Sequence, residues 1–580
     1  MLKRNRTILA VSIALAAVAN PAGAASTPER LLFDGNVLFN NSSGPYSSAS
    51  GPCTTDVAVP TTVSVTQLAT VWFTRNTTTK DPLLVDPYNL TSPRWDPQHL
   101  SPLNAKYSND VVVLDAKDVD TWFDQTDFVG AVPYRFADPS RDWTSGWIYT
   151  NNSGGFGRTD INYAKPVVIL DGTQTSSRTL SSTNNYLLRG KVNFVAGTTL
   201  TIPAGTYLFG EKSTSGYLVI DRGAQIFVNG TRENPVVLTS DQDPSVGAMA
   251  PGDNGGLVLH GRAIANCANT VAGDSCTSEG GAGSFGGGND DDNSGVIRYM
   301  RIEYSGKEIS VDNELNSLTM NAVGRGTTIE YVQCHLGSDD GFEWFGGAAR
   351  GKYLISTGAD DDQIDWQLGW RGAIQFAIGV QYPNRGDKGI EADNSEFNYS
   401  APFRSNPAIA NMTLVGTNPP TPGAGTSNRG IHLRRGTAAR IVNSVILGFR
   451  GPGIDISDAE SFANCPEQNP AKIPSTLVSP VVTGAETIIG PGRSFVAVSP
   501  NPIQRSAKIT FGLNGDRRDV RAQIFDARGR LVETLANGPM RQGVHSLQWT
   551  PSRSLPTGQY FFRLTAEDGT AASGKLVMVK

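Results

Sequence analysis

One acidic motif occurs three times between residues 339 and 391, and it constrains the fold more than any other feature. Each copy has an acidic turn, then one apolar residue, then another acid. The first two copies are offset by 22 residues (361 minus 339). This spacing is too short for a helix-pair repeat and fits one coil of a β-solenoid. The copies are Asp339-Asp340-Gly341-Phe342-Glu343, Asp361-Asp362-Gln363-Ile364-Asp365 and Asp387-Lys388-Gly389-Ile390-Glu391.

Successive coils of a solenoid stack equivalent side chains along the axis. Asp339 is therefore expected over Asp361, and Glu343 over Asp365, about 4.8 Å apart. Carboxylates at this separation bind a cation or share a proton. The repeat predicts both an architecture and a charged site on it.

A regular strand pattern begins near Leu188. Short alternating strands are separated by single glycines, and Gly205 and Gly223 end two of them 18 residues apart (223 minus 205). The pattern contains no Asn-Gly hairpin turn and no helical period, which favours parallel coils over a Greek-key sandwich.

Three further sets of positions recur after an insertion at about 241–293: the residues that open one strand of each coil, and the inward and outward residues of the next strand. The second strand of each coil places one set of apolar residues inward and their neighbours outward. The strand openings are Ile297-Arg298-Tyr299, Ile329-Glu330-Tyr331, Lys352-Tyr353, Gln375-Phe376, Ala410-Asn411 and Val442-Asn443. The inward set is Phe342, Ile364, Ile390, Ile431 and Ile454, and the outward set is Glu343, Asp365, Glu391, His432 and Asp455.

This rhythm of strands and turns resembles the right-handed parallel β-helix of the pectin-lyase-like superfold. The expected fold class is all-β, with a β-helix over 188–465. Residues 25–187 lack the repeat. Their aromatic residues are expected either to close the apolar end of the solenoid as a cap or to form an exposed platform with a ligand role. These residues are Trp122, Phe123, Phe128, Trp143 and Trp147.

Residues 1–24 have the features of a signal peptide. Lys3, Arg4 and Arg6 precede an apolar run, and Ala22-Gly23-Ala24 supplies small residues for cleavage before Ala25. The run is too short for a membrane anchor. We therefore expect a secreted or outer cell-surface protein. Removal of the three basic residues changes the formal net charge from -5 to -8, which argues against nucleic-acid binding.

Five cysteines cannot all pair in an oxidising compartment. Cys267 and Cys276 are close enough in sequence to form one disulfide within a Gly-rich insertion. Cys53 and Cys465 are candidates for a long-range disulfide. Cys334 lies in a strand pattern, which favours a small buried apolar side chain over a catalytic thiol.

A stretch rich in Pro, Thr and Val at 466–492 indicates a linker. Residues 493–580 follow with alternating half-buried strands, among them Val520–Phe525, Gly543–Trp549 and Gly558–Leu564. This sequence resembles the flagellar-hook-cap type immunoglobulin-like module, a relative of the C-terminal sorting modules of type IX secretion. The resemblance implies an export or attachment machinery as partner, and it makes His545 and Trp549 ordinary sandwich residues.

The acidic repeat has three interpretations: a structural Ca²⁺ site, a solvated acidic face, or a catalytic site. Ca²⁺ accepts six to eight hard oxygen ligands without strict geometry. Without a cation the stacked acids need neutralisation by a base such as Arg371 or Lys388. A second acidic loop, 289–293, is either another ion site or solvated. The predicted metal ligands are Asp339, Asp340, Asp360, Asp361, Asp362 and Asp387.

Many proteins of the pectin-lyase-like superfold cleave acidic polysaccharides, by Ca²⁺-assisted β-elimination or by hydrolysis between carboxylates. Gly337-Ser338-Asp339-Asp340 resembles the Gly-Asp-Asp element of polygalacturonases, but the other elements of that family are incomplete here. Carboxyl groups one coil apart are closer to the spacing of retaining glycosidases than to that of inverting ones, whereas polygalacturonases invert. The catalytic candidates are Asp339, Asp340, Asp361, Asp362, Arg371 and His432.

The leading hypothesis is a Ca²⁺-stabilised β-helix protein that binds an extracellular polysaccharide or matrix, with a polysaccharide lyase or glycoside hydrolase as the alternative. Acids interleaved with tryptophans suit sugar binding, because aromatic faces stack on pyranose rings and acids accept hydroxyl hydrogen bonds. The alternative for the two tryptophans is that they cover a coil edge. The predicted ligand-binding residues are Glu343, Trp344, Asp365, Trp366 and Glu391.

Overall fold

The structure is a computed structural model. It describes residues 31–39, 113–133, 142–150, 160–242, 249–267, 276–310, 313–417, 428–464 and 496–578, with gaps of one to four residues inside some of these ranges. Within them the chain divides into two compact units, 1–472 and 473–580. The expected signal peptide and linker, Cys53 and Cys465 lie outside the described residues. No helix in the described part of the chain is long and apolar enough to cross a membrane.

The first unit consists almost entirely of short strands. Among its described residues, the helices are three 3₁₀ turns, Ala116–Asp118, Lys212–Thr214 and Glu279–Gly281, and one α-helical turn, Ala459–Phe462. The strands are β1 Leu31–Asp34, β2 Val37–Phe39, β3 Val167–Gln174, β4 Arg178–Thr179, β5 Asn185–Phe194, β6 Thr199–Pro203, β7 Tyr207–Gly210, β8 Tyr217–Ile220, β9 Gln225–Asn229, β10 Val236–Ser240, β11 Leu257–His260, β12 Cys276–Thr277, β13 Ser284–Phe285, β14 Gly295–Glu303, β15 Glu308–Ser310, β16 Asn313–Glu314, β17 Leu318–Asn321, β18 Thr328–His335, β19 Phe342–Phe345, β20 Arg350–Thr357, β21 Ile364–Gln367, β22 Ala373–Val380, β23 Lys388–Ala392, β24 Ala408–Val415, β25 Arg429–Leu433, β26 Ala439–Val442, β27 Val445–Leu447 and β28 Ile454–Ile456.

Twenty-four of these strands form a right-handed parallel β-helix with three sheets, as the sequence predicts. Sheet 1 contains β4, β6, β9, β26, β1 and the first halves of β14, β18, β20, β22 and β24. Sheet 2 contains β7, β10, β27, β2, the first halves of β3 and β5, and the second halves of β14, β18, β20, β22 and β24. Sheet 3 contains β8, β11, β17, β19, β21, β23, β25, β28 and the second halves of β3 and β5.

The predicted stacks of sheet 3 are confirmed residue by residue. Phe342 pairs with Ile364, Ile364 with Ile390, Ile390 with Ile431, and Ile431 with Ile454. All five are buried in the continuous apolar core. The outward neighbours stack in the same register, from Glu343 through Asp365, Glu391 and His432 to Asp455.

The bend between sheets 1 and 2 also repeats, and it explains the aromatic residues at the strand openings. Six equivalent residues have φ between 51° and 61°, in the left-handed region: Tyr299, Tyr331, Tyr353, Phe376, Asn411 and Asn443. This conformation is strained for residues other than Gly, Asn and Asp. Ring stacking offsets part of that strain, since the ring centroids are 4.3 Å apart from Tyr299 to Tyr331, 4.3 Å from Tyr331 to Tyr353 and 5.0 Å from Tyr353 to Phe376.

The two described N-terminal strands lie at the far end of the solenoid. Strands β1 and β2 pair in parallel with β26 and β27, so the start of the chain adds a coil at the far end. The described residues of 113–133 and 142–150, which we together call the strap, contact the bend between sheets 1 and 2. Tyr149 near the end of the strap exchanges two hydrogen bonds with Gln333, of 2.7 and 2.6 Å.

The strap aromatics are therefore neither an exposed platform nor an end cap. Phe123, Phe128, Trp143 and Trp147 are buried and Trp122 is half-buried. Trp147 packs edge-on against Tyr299 and Tyr331. Aromatic side chains on the bend need an apolar cover, and the strap provides it. The expected boundary at residue 188 lies within β5, and β3 is the first strand to enter the parallel sheets after the strap.

The second unit contains two antiparallel sheets and has an immunoglobulin-like architecture. Its strands are β29 Val496–Ser499, β30 Ala507–Leu513, β31 Arg517–Asp526, β32 Leu531–Met540, β33 Gly543–Trp549, β34 Gly558–Ala566 and β35 Ala571–Met578, in the orders β29-β30-β33 and β32-β31-β34-β35. Trp549 is buried, and its indole donates a 2.9 Å hydrogen bond to Glu533. His545 packs on Phe511. Both are structural residues of the sandwich, as expected.

Two cysteine predictions can be compared with the structure. Cys267 and Cys276 form the expected disulfide, with Cα atoms 6.0 Å apart. Cys334 is a buried free thiol on β18, and burial raises its pKa well above the ordinary value. A protonated, buried thiol is a poor nucleophile, which agrees with a packing role.

Candidate functional site

The turn from sheet 2 to sheet 3 carries the first two acids of each motif. Asp340 and Asp362 are buried and link successive coils, because Asp340 Oδ1 accepts from the Asp362 amide at 2.8 Å. Asp362 Oδ1 accepts from the Lys388 amide at 2.6 Å. One oxygen of each inner acid therefore satisfies a backbone N–H that the parallel ladder leaves free at the turn.

The outer acids of the same turns are more accessible. Asp361 is exposed, and Asp339 and Asp387 are half-buried. One carboxylate oxygen each from Asp339, Asp340 and Asp361 lie within 4.8 Å of one another, and so do those of Asp361, Asp362 and Asp387. These two triads share Asp361. The repeat thus brings five of the six predicted ligands, all but Asp360, together on adjacent coils.

The third acid of each motif lies on the outer face of sheet 3, beside the turn. Glu343 and Glu391 are buried, and Asp365 between them is half-buried. Oxygens of Asp340, Glu343 and Asp365 form a further triad within 4.8 Å, as do those of Asp362, Asp365 and Glu391. Glu343 accepts from Asn316 and, at 3.1 Å, from Gln367. The turn acids and the strand acids form one continuous group, which we call the acidic cluster.

The acidic cluster contains eight carboxylates, Asp339, Asp340, Glu343, Asp361, Asp362, Asp365, Asp387 and Glu391. Among the described residues, Lys388 and Arg434 are the lysine and arginine whose ion pairs reach it. The Lys388 ammonium lies 2.7 Å from Glu391 and 3.7 Å from Asp362, and it also contacts Asp387. Arg434 contacts Glu391 and lies 2.8 Å from Asp393. Two cations cannot neutralise eight ionised acids.

The excess negative charge divides the cluster into two protonation states. Burial, reinforced by neighbouring carboxylates, raises the pKa of Asp340, Glu343, Asp362 and Asp365 well above the ordinary values. The pKa of Asp339 rises to about 8 because of burial and the charges of Asp361, Glu314 and Glu279. With this pKa, Asp339 holds a proton at neutral pH unless a cation replaces it, and the raised pKa values of the other four carboxyl groups act in the same direction.

Glu391 behaves in the opposite way. Burial acts to raise its pKa, but the contact with His432, whose Nδ1 lies 3.7 Å away, and the charges of Lys388 and Arg434 outweigh burial and lower the pKa to about 2. Glu391 is thus ionised, and Asp365 stacks directly on it with a raised pKa. Neighbouring carboxyl groups with pKa values driven apart are a common property of acid–base pairs.

Two loops that the sequence analysis did not single out also contribute acids. Glu279 lies in the 3₁₀ turn just after the disulfide, and Glu314 lies in the β15–β16 hairpin. Burial, with the charges of Glu314 and Glu396, raises the pKa of Glu279 to about 7. Glu279 in turn raises the pKa of Glu343. No repeat marks these residues, because they lie in insertions whose position depends on how the loops pack on the coils.

Some predicted site residues lie elsewhere. Asp360 points away from the cluster into a 2.6 Å ion pair with Arg385. Arg371 binds Asp290 through contacts of 2.9 and 3.0 Å and packs over Phe403, so it is not the base of the acidic cluster. The 289–293 loop is accordingly an anchor for Arg371 and belongs to none of the metal-like triads among the described residues.

His432 lies one coil beyond Glu391 and is apart from the predicted catalytic aspartates. Its Nε2 is 2.6 Å from Ser457 Oγ, and its Nδ1 is 3.7 Å from Glu391. It belongs to none of the four triads, and its Nε2 also lies 3.8 Å from Asp455, so its charged neighbours are Glu391 and Asp455.

Trp344 and Trp366 do not form a sugar-binding surface. Both are fully buried in the core, since they follow the outward acids by one residue and the strand alternation turns them inward. Trp344 stacks on Trp370 with ring centroids 4.5 Å apart, and the Trp366 indole donates to Thr437 at 3.1 Å. The ligand-binding role predicted for these two residues is wrong.

Comparisons with known proteins agree with the two units. The model of the "Pectate-lyase like beta helix domain" family matches residues 172–486, and that of the "FlgD Ig-like domain" family matches residues 499–570. No curated protein sequence matches the chain.

Two solved structures match the chain with low scores. The enzymatically active domain of tailspike protein 2 from bacteriophage CBA120 is 10% identical with a TM-score of 0.21, covering 68% of this chain and 72% of that chain. Chitinase ChiW from Paenibacillus sp. str. FPU-7, described as a cell-surface-expressed multi-modular enzyme, is 9% identical with a TM-score of 0.14, covering 71% of this chain and 24% of that chain. Scores this low establish no residue-level equivalence. The family match spans more than half of the 580 residues, and the chain belongs to the pectate-lyase-like β-helix domain family.

Proposed function

We propose that this protein binds an extracellular polysaccharide at the acidic cluster, with Ca²⁺ held by the outer acids of the turns. The observation that carries the proposal is the pair of oxygen triads that share Asp361 on adjacent coils. Hard carboxylate oxygens at this spacing suit Ca²⁺, whose flexible coordination tolerates a ladder of acids. Asp339, Asp361 and Asp387 are accessible enough to hold the ion, with Asp340 and Asp362 behind them.

The charge balance supports a cation in this position. Eight carboxylates meet two bases, and the alternative to a cation is uptake of several protons. A bound cation leaves coordination positions for sugar hydroxyl or carboxylate oxygens. The bare cluster repels an acidic sugar chain, and the cluster with its bound cation attracts it. We place the protein outside the cell on the basis of the expected signal peptide, and we propose that the C-terminal unit contacts the export or attachment machinery.

Titration of chelator-treated protein with CaCl₂ tests the ion. At pH 7.5 we expect Ca²⁺ binding to release protons, because carboxyl groups with raised pKa values must lose them to coordinate. Isothermal calorimetry in two buffers of different ionisation enthalpy measures that release. Asp339→Asn combined with Asp361→Asn should weaken Ca²⁺ binding at least roughly tenfold, since each triad loses an anionic ligand.

Asp360→Asn is the matched control, because Asp360 precedes Asp361 but is paired with Arg385 outside the cluster. It should leave Ca²⁺ affinity unchanged. Equal affinity in the double variant and the wild type, or binding without proton release, would contradict the ion site. Pull-down with insoluble polyuronate, with and without chelator, then tests the glycan. If the polyuronate retains the protein equally with and without chelator, and retains the double variant as well as the wild type, binding at the cluster is contradicted.

A second candidate function, glycoside hydrolysis or polysaccharide elimination, is favoured by the stacked pair Asp365 and Glu391. The pKa of Asp365 is raised by burial and by Glu391, that of Glu391 is lowered to about 2, and the two residues are one coil apart. This separation is close to the roughly 5 Å of retaining glycosidases. Asp365 would supply the proton, and Glu391 would stabilise or attack the developing cation at the anomeric carbon.

Assays of new reducing ends and unsaturated products on a panel of acidic and neutral polysaccharides decide between binding and turnover. If the protein is an enzyme, Asp365→Asn and Glu391→Gln should each reduce kcat at least roughly a hundredfold with the near-UV spectrum unchanged. Glu330→Gln, which alters an ion pair with Arg298 on sheet 1, is the control. Activity that persists in both variants would exclude this pair, and absence of turnover on every polymer leaves binding as the function.

A further inference from the structure

The four-stranded sheet of the second unit buries one face and exposes the other. Val520, Ala522 and Ile524 of β31 are fully buried in the sandwich core, so strand alternation directs the residues between them outward. We use the name outer face for six outward residues of β31 and of its neighbours β32 and β34. They are Arg521, Gln523, Phe525, Leu531, Phe561 and Arg563.

Three apolar side chains form a row across the outer face. Phe525 pairs with Leu531 on one side and with Phe561 on the other. Leu531 is 53% exposed, Phe561 is 39% exposed and Phe525 is half-buried. Since neighbouring strands are about 4.8 Å apart, the row is about 10 Å long. Single exposed apolar residues are common on protein surfaces, whereas adjacent ones mark an interaction surface.

Arginines lie on both sides of the apolar row. Arg563 and Arg521 are exposed and lie about 7 and 13 Å from the row along the strands, given a rise of about 3.3 Å per residue. Arg530 lies on the other side, next to Leu531, and its side chain is 74% exposed. Among the described residues, no carboxylate forms a salt bridge with Arg563. The sheet therefore presents an apolar strip between guanidinium groups.

The other two arginines have partners that do not occupy all their donors. Arg521 lies 3.3 Å from Asp519, and both side chains are more than half exposed. Arg530 lies 2.8 Å from Asp526. Exposed ion pairs contribute little to stability, and a guanidinium has five N–H donors. Each of these arginines can therefore bind a further anion.

The second unit as a whole is basic. Residues 473–580 contain 13 lysines and arginines and 7 aspartates and glutamates, so the formal net charge of this unit is +6. Because the whole chain carries -5, the first unit carries -11. An anionic surface therefore attracts the second unit and repels the first.

We propose that the outer face docks on a membrane surface of anionic phospholipids. The apolar row enters the boundary between the headgroups and the acyl chains, as the apolar side of an interfacial segment does. The arginines on either side of the row pair with headgroup phosphates. An acidic polymer would pair with the arginines and leave the apolar row in water, and an uncharged lipid would leave the arginines unpaired. This docking needs neither Ca²⁺ nor the acidic cluster.

Co-sedimentation of the full-length protein with lipid vesicles tests this docking. One type of vesicle contains equal parts of phosphatidylglycerol and phosphatidylcholine, and the other contains phosphatidylcholine alone. A chelator is present throughout, so that no divalent cation links the acidic cluster to lipid phosphates. We expect at least roughly tenfold stronger partitioning onto the anionic vesicles, because each arginine near an anionic surface adds to the attraction, and we expect added salt to weaken it.

Two double variants separate the charged and apolar contributions. Arg521→Gln/Arg563→Gln should remove the preference for anionic vesicles, and Leu531→Ser/Phe561→Ser should weaken binding to them at least roughly tenfold. The matched controls are Arg298→Gln and Phe397→Ser, at exposed positions of the first unit, and both should bind like the wild type. The melting temperatures should stay unchanged, because every substituted side chain is exposed.

Phe561→Trp reports whether the row enters the membrane. Anionic lipids with brominated acyl chains should quench the added tryptophan, whereas Phe397→Trp should show no more quenching than the wild type. Equal partitioning onto the two types of vesicle, full binding in either double variant, or no added quenching in Phe561→Trp would overturn the proposal. Binding to cell membranes without binding to the protein-free anionic vesicles would also overturn it, because the partner would then be a protein.

Discussion

In the absence of divalent cations, the β-helix is expected to lose stability as pH rises from about 4 to 8. The pKa of Asp339 is raised from its ordinary value of 3.8 to about 8, first by burial and then by Asp361, Glu314 and Glu279. Burial also raises the pKa of Asp340, Glu343, Asp362 and Asp365. Between the unfolded and folded pKa values the folded state binds more protons, so the free energy of unfolding decreases with pH.

The measurement is the melting temperature of chelator-treated protein at successive pH values, followed at the β-helix transition. The expected loss is on the order of a few kcal/mol across this range, because several carboxyl groups contribute. Millimolar CaCl₂ at pH 8 should restore the lost stability by binding the folded state. Glu391 opposes the trend weakly, since its pKa is lowered to about 2 and its stabilising effect is lost only in strong acid.

Asp339→Asn/Asp361→Asn should flatten this pH dependence, because it removes two of the charges that accumulate as pH rises. Asp360→Asn should leave it as in the wild type. A chelator-treated wild type whose stability is constant or increases from pH 4 to pH 8 would show that the cluster is neutralised in another way.

Trp344→Ala should destabilise the β-helix by about 3–5 kcal/mol, the usual cost of removing a large buried aromatic side chain. Trp344 is fully buried, stacks on Trp370 at 4.5 Å and lies one coil from Trp366 in the core. Its loss leaves a cavity that the neighbouring coils cannot fill, since both are fixed by the parallel ladders. Chemical denaturation followed by far-UV circular dichroism measures the loss.

Phe397→Ala is the matched control, because this ring is 62% exposed, and it should change stability by less than about 0.5 kcal/mol. If Trp344→Ala instead preserved stability and reduced glycan binding, the tryptophan would be a ligand contact, contrary to its buried position. A partly unfolded variant would lose glycan binding together with its folded structure. Glycan binding is therefore compared at temperatures well below the melting transition of the variant.

The pairing register of the coils was predictable from sequence because a solenoid converts linear repeats into vertical stacks. Alternation along each strand places Phe342 inward and Glu343 outward, and the 22-residue offset places Ile364 and Asp365 next to them. The acidic cluster follows from the same rule, since its eight acids belong to three copies of one motif. The disulfide between Cys267 and Cys276 was predictable from their proximity in sequence.

The same rule shows why the tryptophan prediction was wrong. Trp344 follows an outward residue by one position, so its inward direction could have been inferred from the alternation. In contrast, Arg371 lies outside the acidic cluster because it pairs with Asp290, which is 81 residues away in an insertion. Pairing between a coil residue and an insertion has no periodic signal.

The sequence alone determined the coil, its register and the row of acids, because each depends on local spacing repeated along one axis. Tertiary structure decided where the parts of the chain outside the repeat are placed. The strap covers the aromatic bend, the first strands join the last coils, and two loops bring Glu279 and Glu314 toward the cluster. These contacts join residues that are distant in sequence. Buried apolar surface and charge at the loop–coil contacts stabilise them, and no repeat in the sequence marks those positions. A repeat specifies its own neighbours, and only the folded chain specifies what covers them.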